Sequence, residues 1–222
     1  DESNPDIVAT NSVISPENPE LIRSKELGIK IVSPTDLVHD YIIKNKSIVI
    51  VGNYGKTTIT AILVYIFKSL ELNPSYMIGG EVKGLNSAEI NDSEWSIVEG
   101  DEYPATKGGK SKFFYYNPTI LLVTSINWDH NDIFESQEIY TNNFVELFKT
   151  IPTQGKIVFN REDQKLSEFF KSNDFIATPS IINYENQYRG RKLFPKIWGD
   201  YNIQNIYLAL SVLEQIFPSV YL

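Results

Sequence analysis

The 222-residue chain contains no cysteine, one methionine and only two histidines. Without cysteine, disulfides, thiolate metal sites and thiol catalysis are all excluded, and the composition fits a reducing compartment. Any imidazole chemistry must come from His39 or His130. Positive charge is also scarce: 20 Lys and Arg stand against 28 Asp and Glu, for a net charge of −8. Such a surface repels a nucleic-acid backbone, and no basic stripe interleaved with aromatics is present. No apolar run approaches the ~20 residues of a membrane span, and no signal-peptide pattern is found. We therefore expect no nucleic-acid partner, no membrane partner and a cytoplasmic setting. What remains, with 42% hydrophobic residues, supports one large or two small domains with a real core.

The most informative stretch is Ser47 to Thr58. The β-branched run Ser47-Ile48-Val49-Ile50-Val51 feeds Gly52-Asn53-Tyr54-Gly55-Lys56-Thr57-Thr58, and a helical pattern follows from Ile59 to Leu70. A strand, a Gly-rich turn and a helix start form the architecture of a phosphate-binding loop. The turn points backbone N–H groups inward, the helix adds its positive end, and Lys reaches the outer phosphates. A Thr hydroxyl can then ligate Mg²⁺. Ile50 stands where the longer G-x-x-x-x-G-K-[ST] pattern has its first Gly, so the loop is the shorter G-x-x-G-K-T-T. Lys56→Ala is expected to remove most nucleotide affinity with little loss of fold, since such a lysine faces ligand rather than core.

Strands and helices alternate along the chain, which predicts right-handed crossovers and a mostly parallel sheet flanked by helices. Strands are expected at 6–10, 29–32, 47–51, 76–78, 95–98, 119–124, 156–159 and 175–177. Helices are expected from Asn18 to about Lys25, and from Ser33 with Leu37, Tyr41 and Ile42 on one face. Others should follow at about 138–149, 164–171 and 202–216. The polar connector Lys44-Asn45-Lys46 marks a domain boundary at about residue 46. The stretch from Pro179 to Pro195 has no clear period.

In an open parallel sheet, ligands sit beyond the carboxyl ends of the strands. Three groups fall there: the loop, the acids Glu99, Asp101 and Glu102, and the trio Asn127, Asp129 and His130. Glu99 directly follows a buried strand and is a hard oxygen donor suited to the Mg²⁺ of a nucleotide, or else part of an exposed acidic turn. His130 reads as a metal ligand, a donor to phosphoryl oxygen or a structural residue. His39 reads as a surface residue. Asn202 and Asn205 share a face of the last helix, where their amides suit the edge of adenine. Alternatively they decorate a first turn capped by Asp200.

Taken together, G-x-x-G-K-T-T at 52–58, Glu-x-Asp-Glu at 99–102, the strand end Asn127-Trp128-Asp129-His130 and the Gly199-to-Asn205 helix start resemble the Mur ligases. These are ATP-dependent amide ligases of peptidoglycan synthesis. The runs around Glu99–Tyr103, Lys110–Phe113 and Asp129–Phe134 look closest to the murein peptide ligases, with the L-alanine-adding ligases as the alternative. The resemblance implies the family's central ATP-binding domain at 47–222. It also implies a partial Rossmann-like segment at 1–46, the end of a UDP-sugar-binding domain, with the C-terminal ligase domain absent and the part between Asn160 and Gly199 shortened.

The substrates implied are UDP-N-acetylmuramate and an amino acid or peptide, joined through an acyl phosphate. Lys56 would stabilise the β- and γ-phosphates; Thr57, Glu99 and His130 would hold Mg²⁺; Asn202 with Asn205 would read adenine. Gly52, Asn53, Tyr54, Gly55 and Thr58 complete the nucleotide site, and Asn127 and Asp129 would orient His130. Tyr54 and Tyr201 stand where the family commonly has His, and Pro104 where the subgroup has Asp. A non-ligating nucleotide-binding module, or an NTPase coupled to motion, are readings of other classes; no arginine-finger candidate or helicase-like motif favours the last.

Overall fold

The computed structural model describes residues 5–11, 13–106, 109–128, 133–160, 163–172, 180–184 and 199–218. A short first layer comprises β1 (Ile7–Ala9), α1 (Pro19–Glu26), β2 (Lys30–Val32) and α2 (Pro34–Leu37). β1 and β2 pair in parallel. Ser33 caps α2 through a reciprocal box with Asp36: Asp36 N–H donates to Ser33 Oγ at 3.1 Å, and Ser33 N–H donates to the Asp36 carboxylate at 2.8 Å.

A seven-stranded sheet follows, built from β3 (Lys46–Val51), β4 (Ser75–Met77), β5 (Ala88–Glu89), β6 (Trp95–Glu99), β7 (Ile120–Val123), β8 (Lys156–Asn160) and β9 (Ser180–Tyr184). Its order is β5-β4-β6-β3-β7-β8-β9, parallel throughout except at β5. The strand that runs into the Gly52–Thr58 loop is thus the central one. The chain crosses leftward from β3 through α3 (Lys56–Ser69) to β4 and rightward from β7 through α4 (Gln137–Lys149) to β8. Right-handed crossovers in opposite directions place their helices on opposite faces, and β3 lies at the switch.

Period-two burial confirms that arrangement. Ile48 and Ile50 of β3, with Ile120 and Leu122 of β7, join Ile59, Leu63 and Phe67 of α3 and Leu208 and Val212 of α6 (Asp200–Ile216) in one core. Val49, Val51, Leu121 and Val123 face the other core, with α4 and α5 (Gln164–Ser172). Covered on both faces, these strands read in sequence as continuous apolar runs. Along α4 an aromatic ladder steps from Phe134 to Tyr140, Phe144 and Phe148 with centroids 5.1, 5.2 and 6.2 Å apart.

Three details differ from the sequence reading. After Leu37 the chain winds as a π-helix over Val38–Ile42, so Val38 and Ile42 are buried while Tyr41 is exposed. The two-residue edge strand β5 is too short to leave a pattern. The last strand pairs with β8 at 180–184, within the stretch read as having no period; the strand expected at 175–177 lies outside the described residues. Among the described residues no helix is long and apolar enough to cross a membrane.

Candidate nucleotide site and its two clefts

Gly55 is the pivot of the loop. It takes a left-handed conformation (φ +78°) as N-cap of α3, and a Cβ there would lie 2.5 Å from Asn205 Oδ1. Only glycine allows both the turn and this approach of loop to α6. No side chain caps α3, so the N–H groups of its first turn remain available to an anion, reinforced by the helix dipole. Asn53 fixes the start of the loop from behind. Its N–H donates to Ser125 Oγ at 3.1 Å, Ser125 Oγ–H donates to Asn53 Oδ1 at 3.0 Å, and its amide donates to Tyr140 OH at 2.8 Å. The Asn53 side chain is therefore engaged by the end of β7 and by α4.

At the other end of the loop, two chemistries meet. Thr57 Oγ1–H donates to Glu99 Oε2 at 2.9 Å, and the Gly79 N–H donates to the same oxygen at 3.0 Å. Parallel pairing sets Glu99 beside Ile50, one residue from the end of β3, which explains why a strand-end carboxylate reaches a loop hydroxyl. A hydroxyl and a carboxylate in contact are hard oxygen donors that fit Mg²⁺ completed by water and phosphate. Among the described residues there is no cluster of three His, Asp or Glu that could hold a metal ion by itself. His130 and Asp129, expected to contribute here, lie outside the described residues.

Lys56 is turned inward. Its ammonium donates to the Gly52 carbonyl and sits 3.3 Å from Glu102 Oε2. Glu102 is fully buried, and among the described residues its second oxygen has no hydrogen-bond partner. Burial pushes the Glu102 carboxyl pKa up, with Lys56 opposing the rise. This weighs against the expectation that removing Lys56 brings little loss of fold, because the lysine also compensates a buried acid. Asp101 is held differently, accepting from Lys112 at 2.6 Å near the surface.

Two clefts open from the loop. One, of about 700 Å³, is lined by Tyr54, Gly55 and Thr58, by Asn127 at the end of β7, and by Tyr201 and Asn205 of α6. The other, of about 610 Å³, includes Lys56, Glu99, Gly79 and Lys112, with Asn11, Val13 and Thr35 of the first layer. Neighbouring residues of one loop, Lys56 and Thr58, thus serve different clefts.

The structure brings Gly52 to Thr58, Glu99 and Asn205 together. Asn202 is half-buried in the first turn of α6, its N–H donating to the Gly199 carbonyl, and does not line either cleft. Asn127 lines the first cleft with its carbonyl oxygen accepting from Lys165 at 2.7 Å. His39 is a surface residue, half-exposed beside Asp40. Gly79, Ser125 and Thr35 escaped the sequence reading. Gly79 carried a signal, a Gly-Gly pair directly after a strand, that marks close backbone approach as well as chain termination.

Residues 50–213 match the Mur ligase middle domain. The chain is 27% identical to the UDP-N-acetylmuramate–L-alanine ligase of Dictyoglomus turgidum, covering 95% of this chain and 49% of that protein. It is 28% identical to the UDP-N-acetylmuramate–L-alanyl-γ-D-glutamyl-meso-2,6-diaminoheptandioate ligase of Haemophilus influenzae, covering 93% and 50%. The crystal structure of the corresponding diaminopimelate ligase from Neisseria meningitides shares the fold, with a TM-score of 0.73 at 19% identity over 95% of this chain and 74% of that one. The chain spans about half the length of the two sequence relatives. A short Gly-rich loop after the central strand, a strand-end glutamate bonded to its threonine and a match over most of the chain lead to one conclusion: the chain belongs to the Mur ligase family.

Proposed function

We propose that this chain forms the ATP-binding centre of a ligase that joins a peptide to UDP-N-acetylmuramate, as the name of the Haemophilus influenzae relative describes for that protein. The observation that carries this reading is the 2.9 Å contact between Thr57 and Glu99, with Lys56 and Glu99 lining the second cleft. ATP lying along the loop has its nucleoside in the cleft of Tyr54, Thr58 and Asn205 and its γ-phosphate at Lys56, Thr57 and Glu99. The muramyl carboxylate approaches through the second cleft. Residues 1–46 then belong to the UDP-sugar-binding domain and 47–222 to the ATP-binding domain, a division supported by the contribution of both segments to that second cleft.

The carboxylate attacks the γ-phosphorus, the bond to the β–γ bridging oxygen breaks, and ADP leaves as an acyl phosphate forms. The incoming amine then attacks the acyl carbon, inorganic phosphate departs and the amine loses a proton. Such a reaction needs alignment and charge neutralisation more than covalent help. Lys56 swings from Gly52 to the phosphates, and the first-turn N–H groups of α3 orient them. Thr57 and Glu99, with His130, would hold Mg²⁺, which would neutralise phosphate charge when bound. A cytoplasmic setting belongs with this ATP-consuming reading.

Addition of L-alanine is the second reading, favoured by the equally extensive similarity to the Dictyoglomus turgidum relative. Calorimetric titration of Mg·ATP into this chain and its Lys56→Ala variant tests the nucleotide site: Lys56-dependent binding is expected, and its absence in a folded protein sinks the reading. The protein carrying this chain, given ATP, UDP-N-acetylmuramate and either tripeptide or L-alanine, separates the two amines by which one drives ADP release.

A further inference from the structure

We propose that Glu102 is a positioning residue for Lys56, an inference that rests on the ATP reading above. Its carboxylate holds the ammonium inward in the free protein and takes up a proton when phosphates draw that ammonium away. The acidic turn is asymmetric. Glu99 accepts from Thr57 and the Gly79 N–H, and Asp101 accepts from Lys112 and the Tyr103 N–H. Both are half-buried, and none of these bonds involves Lys56. Glu102 is fully buried, and among the described residues Lys56 is the only cation it meets.

The pair is incomplete on both sides. One carboxylate oxygen faces Lys56 at 3.3 Å, while the other has no partner among the described residues. The ammonium divides itself between that carboxylate and the Gly52 carbonyl, and the lysine also lines the second cleft. An ion pair buried this deeply is stable when its remaining lone pairs are satisfied, and here they are not. A single contact therefore keeps the charge on Glu102, and it is made by the side chain that the phosphates recruit.

When the triphosphate takes the ammonium, Glu102 is left as a buried charge with no cation. Of the charged groups that act on it only Asp101 then remains, and it repels; Glu99 is turned to Thr57 and Gly79. Burial already pushes the Glu102 carboxyl pKa up with Lys56 in place, and departure of the lysine removes the main opposition. A proton from bulk water adds to a carboxylate oxygen and an O–H bond forms, while Lys56 keeps its own protons throughout. The protein charge facing the phosphates becomes more positive by this proton than in the free state. Glu102 thus masks Lys56 until the anion arrives and then ceases to compete for it.

Calorimetric titration of Mg·ATP in buffers of different ionisation enthalpy, between pH 6 and 8, counts the protons exchanged on binding. Excess Mg²⁺ keeps ATP itself deprotonated. The wild-type chain should take up a proton or a fraction of one. Its ATP affinity should rise as pH falls, by at most about tenfold per pH unit. Glu102→Gln should show no uptake, a flat affinity profile and tighter binding than wild type at pH 8, outcomes that lost packing alone does not produce. On ATP binding, the infrared difference spectrum of wild type should gain a protonated-carboxyl band that shifts with ¹³C-glutamate, a readout that needs no variant. Lys56-dependent binding without uptake, uptake that persists in Glu102→Gln, or the absence of a new carboxyl band overturns the exchange alone. Failure of the folded wild-type chain to bind Mg·ATP through Lys56 overturns the ATP reading together with it.

Discussion

Replacing Lys56 by alanine removes the cation nearest a buried carboxylate, and the cost can be worked from that pair. Nζ lies 3.3 Å from Glu102 Oε2, with the lysine side chain 14% exposed and the glutamate 1%. At an effective dielectric of about 20, the gross attraction at this separation is about 5 kcal/mol. Desolvation cancels much of it, since burial raises the Glu102 pKa despite the lysine. Without Lys56 the carboxylate either stays ionised in apolar surroundings or takes up a proton. Near pH 8 the variant should lose about 3 kcal/mol, the lower end of the range for breaking a buried pair. As pH falls, protonation relieves the strain on the charge and the loss should shrink.

The direction follows from linkage. A carboxyl whose folded pKa lies above its ordinary 4.5 contributes its full stability at low pH and loses it as pH rises through the folded value. Lys56 restrains that rise, so deleting it steepens the loss. Urea unfolding followed by tryptophan fluorescence between pH 5 and 8, on wild type, Lys56→Ala and Lys56→Ala with Glu102→Gln, reads this out. The double variant should be more stable than the single at pH 8, with a flatter profile. A stability gap that ignores pH, or a double variant no better than the single, would refute the reasoning.

Glu99→Gln should abolish the magnesium dependence of ATP affinity, measured by titration with Mg²⁺ and with EDTA; an unchanged dependence removes Glu99 from the metal site. Phe144→Ala, in the middle of the α4 aromatic ladder and fully buried, should destabilise by about 3–5 kcal/mol in urea unfolding, whereas a loss below 1 kcal/mol would mean the ladder is loosely packed. Glu89 accepts from Lys68, Asn91 and Tyr76, which hold its pKa down to about 2. Its folded pKa lies below its ordinary 4.5, so its stability contribution is present above that pH and lost as pH falls toward 2. Glu89→Gln should therefore cost about 1 kcal/mol at neutral pH, a figure discounted for partial exposure, and progressively less in acid; equal losses at pH 7 and pH 3 would contradict it.

Much of the sheet was legible because buried parallel strands announce themselves as apolar runs. Ser47–Val51, Trp95–Glu99 and Thr119–Thr124 all do so, and each is followed by the polar residues that build the site. The loop was legible because its glycines have a backbone reason to be there. What stayed hidden depends on contacts between distant residues. Nothing in the run Glu99 to Glu102 distinguishes an acid that faces Thr57 from one buried beside Lys56, since both lie in a single acidic turn. The π-helix at Val38–Ile42 preserves a helical pattern while shifting which residues face inward, so Tyr41 was assigned to the wrong face. Edge strands β5 and β9 owe their existence to neighbours rather than to their own periodicity.

The Asn53 latch has a consequence for binding rather than for folding. Because Asn53 is bonded to Ser125 and Tyr140, the beginning of the phosphate cradle takes its shape from the opposite layer of the sheet. The entropy of ordering that segment is spent when the domain folds, before any ligand arrives, so an incoming triphosphate meets a preorganised surface. Substitutions at Tyr140, which lines neither cleft, should then act on the lifetime of a nucleotide complex by loosening the loop from behind, which makes the α4 layer a place where affinity can be tuned from outside the clefts.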